Sequence, residues 1–278
     1  MITLINIELY KIFKRGRTYI GFIAVFVIVF AMQVGVYYEG QNTLDFVFQN
    51  LQESFTFQGN LINGYLTTFL ILNTLWIHIP ILIALVAGDL LAGEANAGTF
   101  RLILTRPISR TKLLIAKFFA GWIYSVSLVT FMGIISLIPG LLFFGSGDLI
   151  VMKTTINVFA AEDLMWRFLL AFAYGMVTMT TIAALAFMLS AFSDNSVGPI
   201  VGTFAIIVAL TIISTVGESL LRPILPYLFT TYLPSWLLFF EFEPNAGKIM
   251  QAVIVELIYT LVFLLVTLIY FRRKDILS

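Results

Sequence analysis

The chain of 278 residues is 60% hydrophobic and only 11% charged, against about 45–50% and about 25% in an ordinary soluble domain, which makes it an integral membrane protein. A net charge of +1, with the basic residues gathered at the borders of apolar stretches, gives no basic face for nucleic acid. The absence of cysteine and the lone histidine, His78, exclude disulfides, thiolate-bound metals and a paired-histidine zinc or catalytic site.

In residues 1–17, Ile5, Leu9, Ile12 and Phe13 recur at i, i+4, i+7 and i+8, with Glu8, Lys11, Lys14 and Arg15 elsewhere on the wheel. This spacing predicts an amphipathic helix lying in the membrane interface. The plainer alternative is a basic flank that only sets orientation. A span needs about 20 apolar residues, because about 30 Å of hydrocarbon is crossed at about 1.5 Å per residue. The first, 19–38, is longer than a typical signal-peptide core and ends in Tyr37-Tyr38 with no small-residue cleavage site, which reads as an uncleaved signal anchor. Further spans are expected at 65–88, 114–144, 167–192, 196–217 and 249–271. The stretch 219–240 is also apolar but short, and Pro223, Pro226 and Pro234 each remove a backbone donor, so it reads as a re-entrant or interfacial hairpin.

Lysine and arginine collect on cytoplasmic loops. Lys11, Lys14, Arg15 and Arg17 precede the first span, Arg101, Arg106, Arg110, Lys112 and Lys117 stand between the second and third, and Arg272, Arg273 and Lys274 follow the last. The other side holds Lys153, Arg167, Arg222 and Lys248. The expected arrangement is an all-α, multi-pass protein of the cell (cytoplasmic or inner) membrane, with a single transmembrane domain over 1–278. It has six spans, both termini in the cytoplasm and the 219–240 hairpin outside.

The second and third spans are joined by 89–113, part of a polar passage that reads GEANAGTFRLILTRPISRTKLLIAK over 93–117. Phe100, Ile103 and Leu104 sit at i, i+3 and i+4, giving a short surface helix one apolar face, with Arg101 and Thr105 elsewhere. That face would hold the helix to its own subunit, leaving Glu94 and Arg101 to reach a partner. Pro107 stops the helix at Arg106, and Ser109 is placed to cap the next one. Arg110, Lys112 and Lys117 are expected to snorkel to the headgroups. The product is an elbow between a surface helix and a span.

Gly93-Glu94, Gly98-Thr99, Arg106-Pro107-Ile108-Ser109-Arg110 and Lys117 resemble the signature of type-2 ATP-binding-cassette (ABC) permeases, roughly G-E-x-x-x-G-T-x-x-x-L-x-x-P-[IV]-S-R with a lysine shortly after. The resemblance implies that 89–113 is a coupling segment that docks on a separate ATPase subunit through Glu94, Gly98, Thr99, Arg101, Arg106, Pro107, Ser109 and Arg110. It also implies two permease subunits, as a homodimer or heterodimer, forming the pathway at their interface. ATP and magnesium would be held by the ATPase, and this chain would be the non-catalytic membrane subunit of an exporter. The pattern G-x-x-x-x-G-K-[ST] is indeed missing from the sequence. The plainer reading of 89–113 is a solvated loop whose arginines enforce topology.

Glu256 falls inside the last span, where an ionised side chain is costly and marks a pathway or gate, or else pairs locally with Arg222 or Lys248. His78, two residues before Pro80, reads as a partner of a freed carbonyl rather than a ligand. Met165, Met176, Met179 and Met188 read as packing, and Ser146 has no suitable base beside it. Two alternatives stand beside the exporter: an ATP-independent channel or secondary transporter, expected to carry several ionisable residues in its spans, and a non-transport component of an ABC-type complex.

Overall fold

The computed structural model describes residues 1–52, 61–99, 109–152, 156–216 and 222–274. Helix α1 (Ile2–Lys14) turns at Arg15 into α2 (Gly16–Gln52), followed by α3 (Gly64–Ala87), the short α4 (Ala92–Asn96) and α5 (Arg110–Phe144). An antiparallel hairpin of β1 (Leu149–Met152) and β2 (Ile156–Phe159) then leads to α6 (Leu164–Phe192), α7 (Val197–Val216), a run of short helical turns over 225–240, and α8 (Ala246–Arg273). Among the described residues six helices are long and apolar enough to cross a membrane: α2 over Gly16–Gly40, α3, α5, α6 with its preceding turn, α7 and α8. The protein is thus an all-α multi-pass membrane protein, to which the β1–β2 hairpin is an addition that the apolar pattern does not mark.

Helix α6 forms the centre. Two-thirds of its most apolar window is buried (67%), against 22% for α2 and 17% for α7, which lie at the periphery. Its sequence explains this, because Ala171, Gly175, Ala183, Ala184 and Ala186 are buried and small residues let helix backbones approach closely where lipid supplies no hydrophobic drive. Helix α3 packs beside it, with Ile71, Leu72, Leu75 and Ile83 fully buried. Asn63 starts α3 by accepting hydrogen bonds from the Tyr65 and Leu66 amides, both at 3.0 Å, and its own amide donates to the Asp148 carbonyl at 2.8 Å. One buried side chain therefore caps a helix and ties it to the entrance of the β hairpin.

The far end of the bundle, opposite the termini, is held by Arg167, which is 5% exposed. It donates to the carbonyls of Phe239 (2.7 Å) and Glu241 (2.8 Å) and to Asp163 (2.8 Å), and it lies over the rings of Phe159 and Trp166. A guanidinium with five donors satisfies the open carbonyls at the end of the Leu233–Phe240 turn. Aromatic packing completes the joint: Trp236 and Phe240 meet Phe69, and Phe240 meets Phe168.

Helices α3 and α5 touch backbone to backbone at Gly64, where a Cβ would come 2.5 Å from the Gly140 carbonyl carbon. Gly64→Ala should therefore force the helices apart and destabilise the protein by about 1–3 kcal/mol. Gly35→Ala, with nothing within 4 Å of the added carbon, should leave it unchanged or slightly more stable. Thermal unfolding of the two detergent-purified variants checks the contrast.

Candidate functional site

Two pieces of chain, the N-terminal helix and the segment after α3, converge on the first turns of α5 at the end that carries both termini. Lys117, two turns into α5 and 1% exposed, donates to Glu8 at 2.8 Å and lies 2.7 Å from Glu94. Lys11 donates to the same two carboxylates, at 2.7 Å and 3.0 Å. Arg15 and Arg17 both donate to Asp89, which is 3% exposed just past the end of α3. Glu8 and Lys11 come from α1, Glu94 from α4 and Lys117 from α5, so one ionic cluster fastens the N-terminal helix and the segment after α3 to the start of a span.

Burial pushes the Glu8 carboxyl up, and the ammonium groups of Lys117 and Lys11 more than offset this, leaving it below its ordinary value of 4.5. Burial likewise lowers Lys11, and Glu8 and Glu94 outweigh it, leaving the amine above its ordinary 10.5. The cluster therefore favours the charged form of both partners.

The residues singled out in 89–113 have local tasks. A Cβ at Gly93 would collide with the Asp89 carboxylate, so the glycine lets the acid lie against the turn without shifting. Gly98 has φ +64° and ends α4 in the left-handed conformation that suits glycine. The Thr99 amide and hydroxyl both donate to the Glu94 carbonyl, at 3.0 Å and 3.3 Å. On the other flank, Ser190 of α6, 1% exposed, accepts from the amides of Leu91 and Ala92 at 3.1 Å and 2.9 Å, supplying an acceptor for two of the amide donors that a helix start leaves open. Ser109 caps α5 by accepting from the Lys112 amide at 3.3 Å.

Two expectations are corrected. Lys117 does not snorkel: its ammonium is buried because two carboxylates replace the water it would lose. Glu94, read as reaching outward, is turned inward and is 5% exposed. Arg101, Arg106 and Pro107, together with Phe100, Ile103 and Leu104, lie outside the described residues. Sequence reasoning missed Glu8, Asp89 and Ser190. Two of them carried a signal, since Glu8 and Asp89 are acids on the side where bases gather.

Arg110 is not part of the cluster. It donates to the carbonyls of Phe271 (3.4 Å), Arg272 (3.4 Å) and Lys274 (2.9 Å) at the end of α8. Within the membrane-spanning part, Glu256 of α8 is fully buried against α6, and neither carboxylate oxygen meets a hydrogen-bond partner in good geometry among the described residues. Around it the Thr181 hydroxyl lies 3.1 Å from the Glu256 carbonyl and 3.0 Å from the Thr260 hydroxyl. Glu256 forms no ion pair with a described residue, Arg222 and Lys248 included. His78 is exposed, and its Nδ1 is 2.8 Å from the Thr74 carbonyl four residues back, rather than at the Trp76 carbonyl that Pro80 leaves free. Toward the far end, a cavity of about 520 Å³ lies between α3, α7 and the 225–240 turns. Among its lining residues, Trp76 and Thr230 have a buried indole nitrogen and hydroxyl without partners among the described residues.

Residues 21–277 match the model of a family described as protein of unknown function (DUF2705). The chain belongs to that DUF2705 family. It is also 29% identical over 120 residues to the uncharacterized protein YhcI of Bacillus subtilis (strain 168), across 40% of this chain and 37% of that relative's length.

Removing one partner of a buried ion pair strands the other charge at a cost of about 3–5 kcal/mol. Lys117→Met should therefore lower the unfolding temperature sharply and free α1 for proteolysis. Lys11→Met, whose side chain is 36% exposed, should cost about 0–1 kcal/mol. The pH dependence has a defined sign. The lowered Glu8 contributes stability that is complete above pH 4.5 and lost as pH falls through its folded value. The raised Lys11 contributes stability that is complete below pH 10.5 and lost as pH rises through its own. Hydrogen exchange of the α1 amides should accordingly be flat between these limits, apart from the intrinsic rate, and faster outside them.

Proposed function

We propose that the protein is the membrane-spanning permease subunit of an ABC exporter, driven by a separate ATPase that docks on the 89–113 segment from the cytoplasm. The observation that carries this reading is the coincidence of the sequence signature with an anchoring device. Of the signature residues, Glu94 and Lys117 tie the start of the segment to α1 and α5, Ser109 caps α5 at its end, and Gly93, Gly98 and Thr99 shape the turn between, while Ser190 of α6 holds the adjoining Leu91 and Ala92 amides. A surface segment can pass a partner's movement into a span only if it is rigidly joined to that span. Glu94 then acts by positioning the segment, and Arg101 and Arg106 are left to meet the ATPase.

The far-end cavity supports transport over a purely structural role. Its predominantly apolar walls suit an apolar or amphipathic molecule. Two such subunits, as a homodimer or heterodimer, would complete the pathway. The alternative of an ATP-independent transporter draws on Glu256, the one carboxyl group fully buried in the middle of a described span.

Arg101→Glu should leave insertion and folding intact while the ATPase no longer copurifies. Pro107→Ala should keep the ATPase bound but weaken the link between hydrolysis and transport. Retention of both functions in both variants contradicts the reading. Cysteines placed at Asn50 and Glu243 of this cysteine-free chain should label from outside the cell only, as six spans with cytoplasmic termini require.

A further inference from the structure

The resemblance assigns Arg110 to the ATPase-facing surface, but its guanidinium points into this chain. One nitrogen donates to three carbonyls around the last turn of α8, those of Phe271, Arg272 and Lys274. A helix C-terminus leaves its final carbonyls open and carries partial negative charge, so a cation there satisfies both demands. The contact is reciprocated and extended. Arg272 donates from two nitrogens to Thr111 at 3.1 Å and 2.9 Å, and Lys274 reaches Asp194 at 2.9 Å and the Ala191 carbonyl at 3.4 Å, in and just after the end of α6. The rings of Phe192 and Tyr270 meet edge to face, 4.4 Å apart.

The first residue of α5, which lies within the 89–113 segment, is therefore bolted to the end of α8. Helix α8 runs 28 residues without an internal proline, so it carries displacement along its length. Glu256 stands fifteen residues back from Phe271, about 22 Å along the helix at about 1.5 Å per residue.

We propose that Arg110 is a positioning residue that couples the 89–113 segment to α8, so that displacement of the segment is delivered to the middle of the membrane at Glu256. The proposal rests on the reading of the segment as the ATPase-driven element. It assigns the moving part: α8 follows the segment through Arg110, in addition to α5, which follows it covalently.

The test uses the full chain in nanodiscs with its copurified ATPase. Spin labels on cysteines at Ile254 of α8 and Ile77 of α3, which are 48% and 70% exposed, report the α8 position with and without ATP. A second pair, at Phe119 of α5 and Ile77, reports α5. Wild type should show ATP-dependent shifts in both pairs. Arg110→Ala should retain the ATPase and the α5 shift but lose the α8 shift, and Arg110→Lys should restore part of it. An α8 shift that survives in Arg110→Ala overturns the proposal, as does loss of ATPase binding, which would return Arg110 to the docking surface.

If no ATPase copurifies with wild type, the exporter reading fails on its own. The clamp is still tested by hydrogen exchange in the last turn of α8. Exchange there should rise about tenfold or more in Arg110→Ala, because a hydrogen bond from a charged donor is lost. Unchanged exchange there overturns the clamp.

Discussion

The arrangement depends on a buried ammonium group. Lys117 sits where solvent does not reach, and an ion deprived of water costs several kcal/mol unless its partners are close and well placed. Two carboxylates meet that demand, one from α1 and one from α4. The position of each element is thereby set by the needs of a residue in a third. Lys11 completes the neutralisation at the rim, and Asp89 repeats the device for Arg15 and Arg17. A helix of 13 residues and another of five, too short to be stable alone in water, acquire fixed places because charge cannot be left unpaired.

The same logic runs at both ends, while the middle is governed differently. At the far end, Arg167 gathers the carbonyls of the 225–240 turns, and at the terminal end Arg110 gathers those of α8. Between them, buried small residues along α6 and the threonines facing α8 bring the helices together without paired charges. Glu256 is the exception in that middle layer. In the exporter reading, this division places stiff joints where a partner pushes and a carboxyl without a counter-ion among the described residues where the push arrives.

The six apolar helices were legible in the sequence because a span is defined by length and hydropathy, properties that survive without tertiary knowledge. The capping role of Ser109 was also legible, as a local property of residues three apart. Lys117 and Glu94 were recognised as part of a pattern, yet their direction was not, because whether a charge faces water or another charge depends on residues more than twenty or a hundred positions away. Glu8 illustrates the limit: the helical wheel assigns it to the polar face of α1, and that placement is reversed only once α5 supplies Lys117. The β1–β2 hairpin escaped because Leu149–Met152 and Ile156–Phe159 are too short to stand out beside stretches of twenty apolar residues.

The most direct test of the account is a density map of the chain bound to the ATPase proposed to drive it. Partner density should rest on the 97–109 stretch, with Glu94 still turned toward Lys117 and Arg110 still on the last carbonyls of α8. A complex in which Glu94 swings out to meet the partner, or in which the ATPase binds elsewhere, would contradict it.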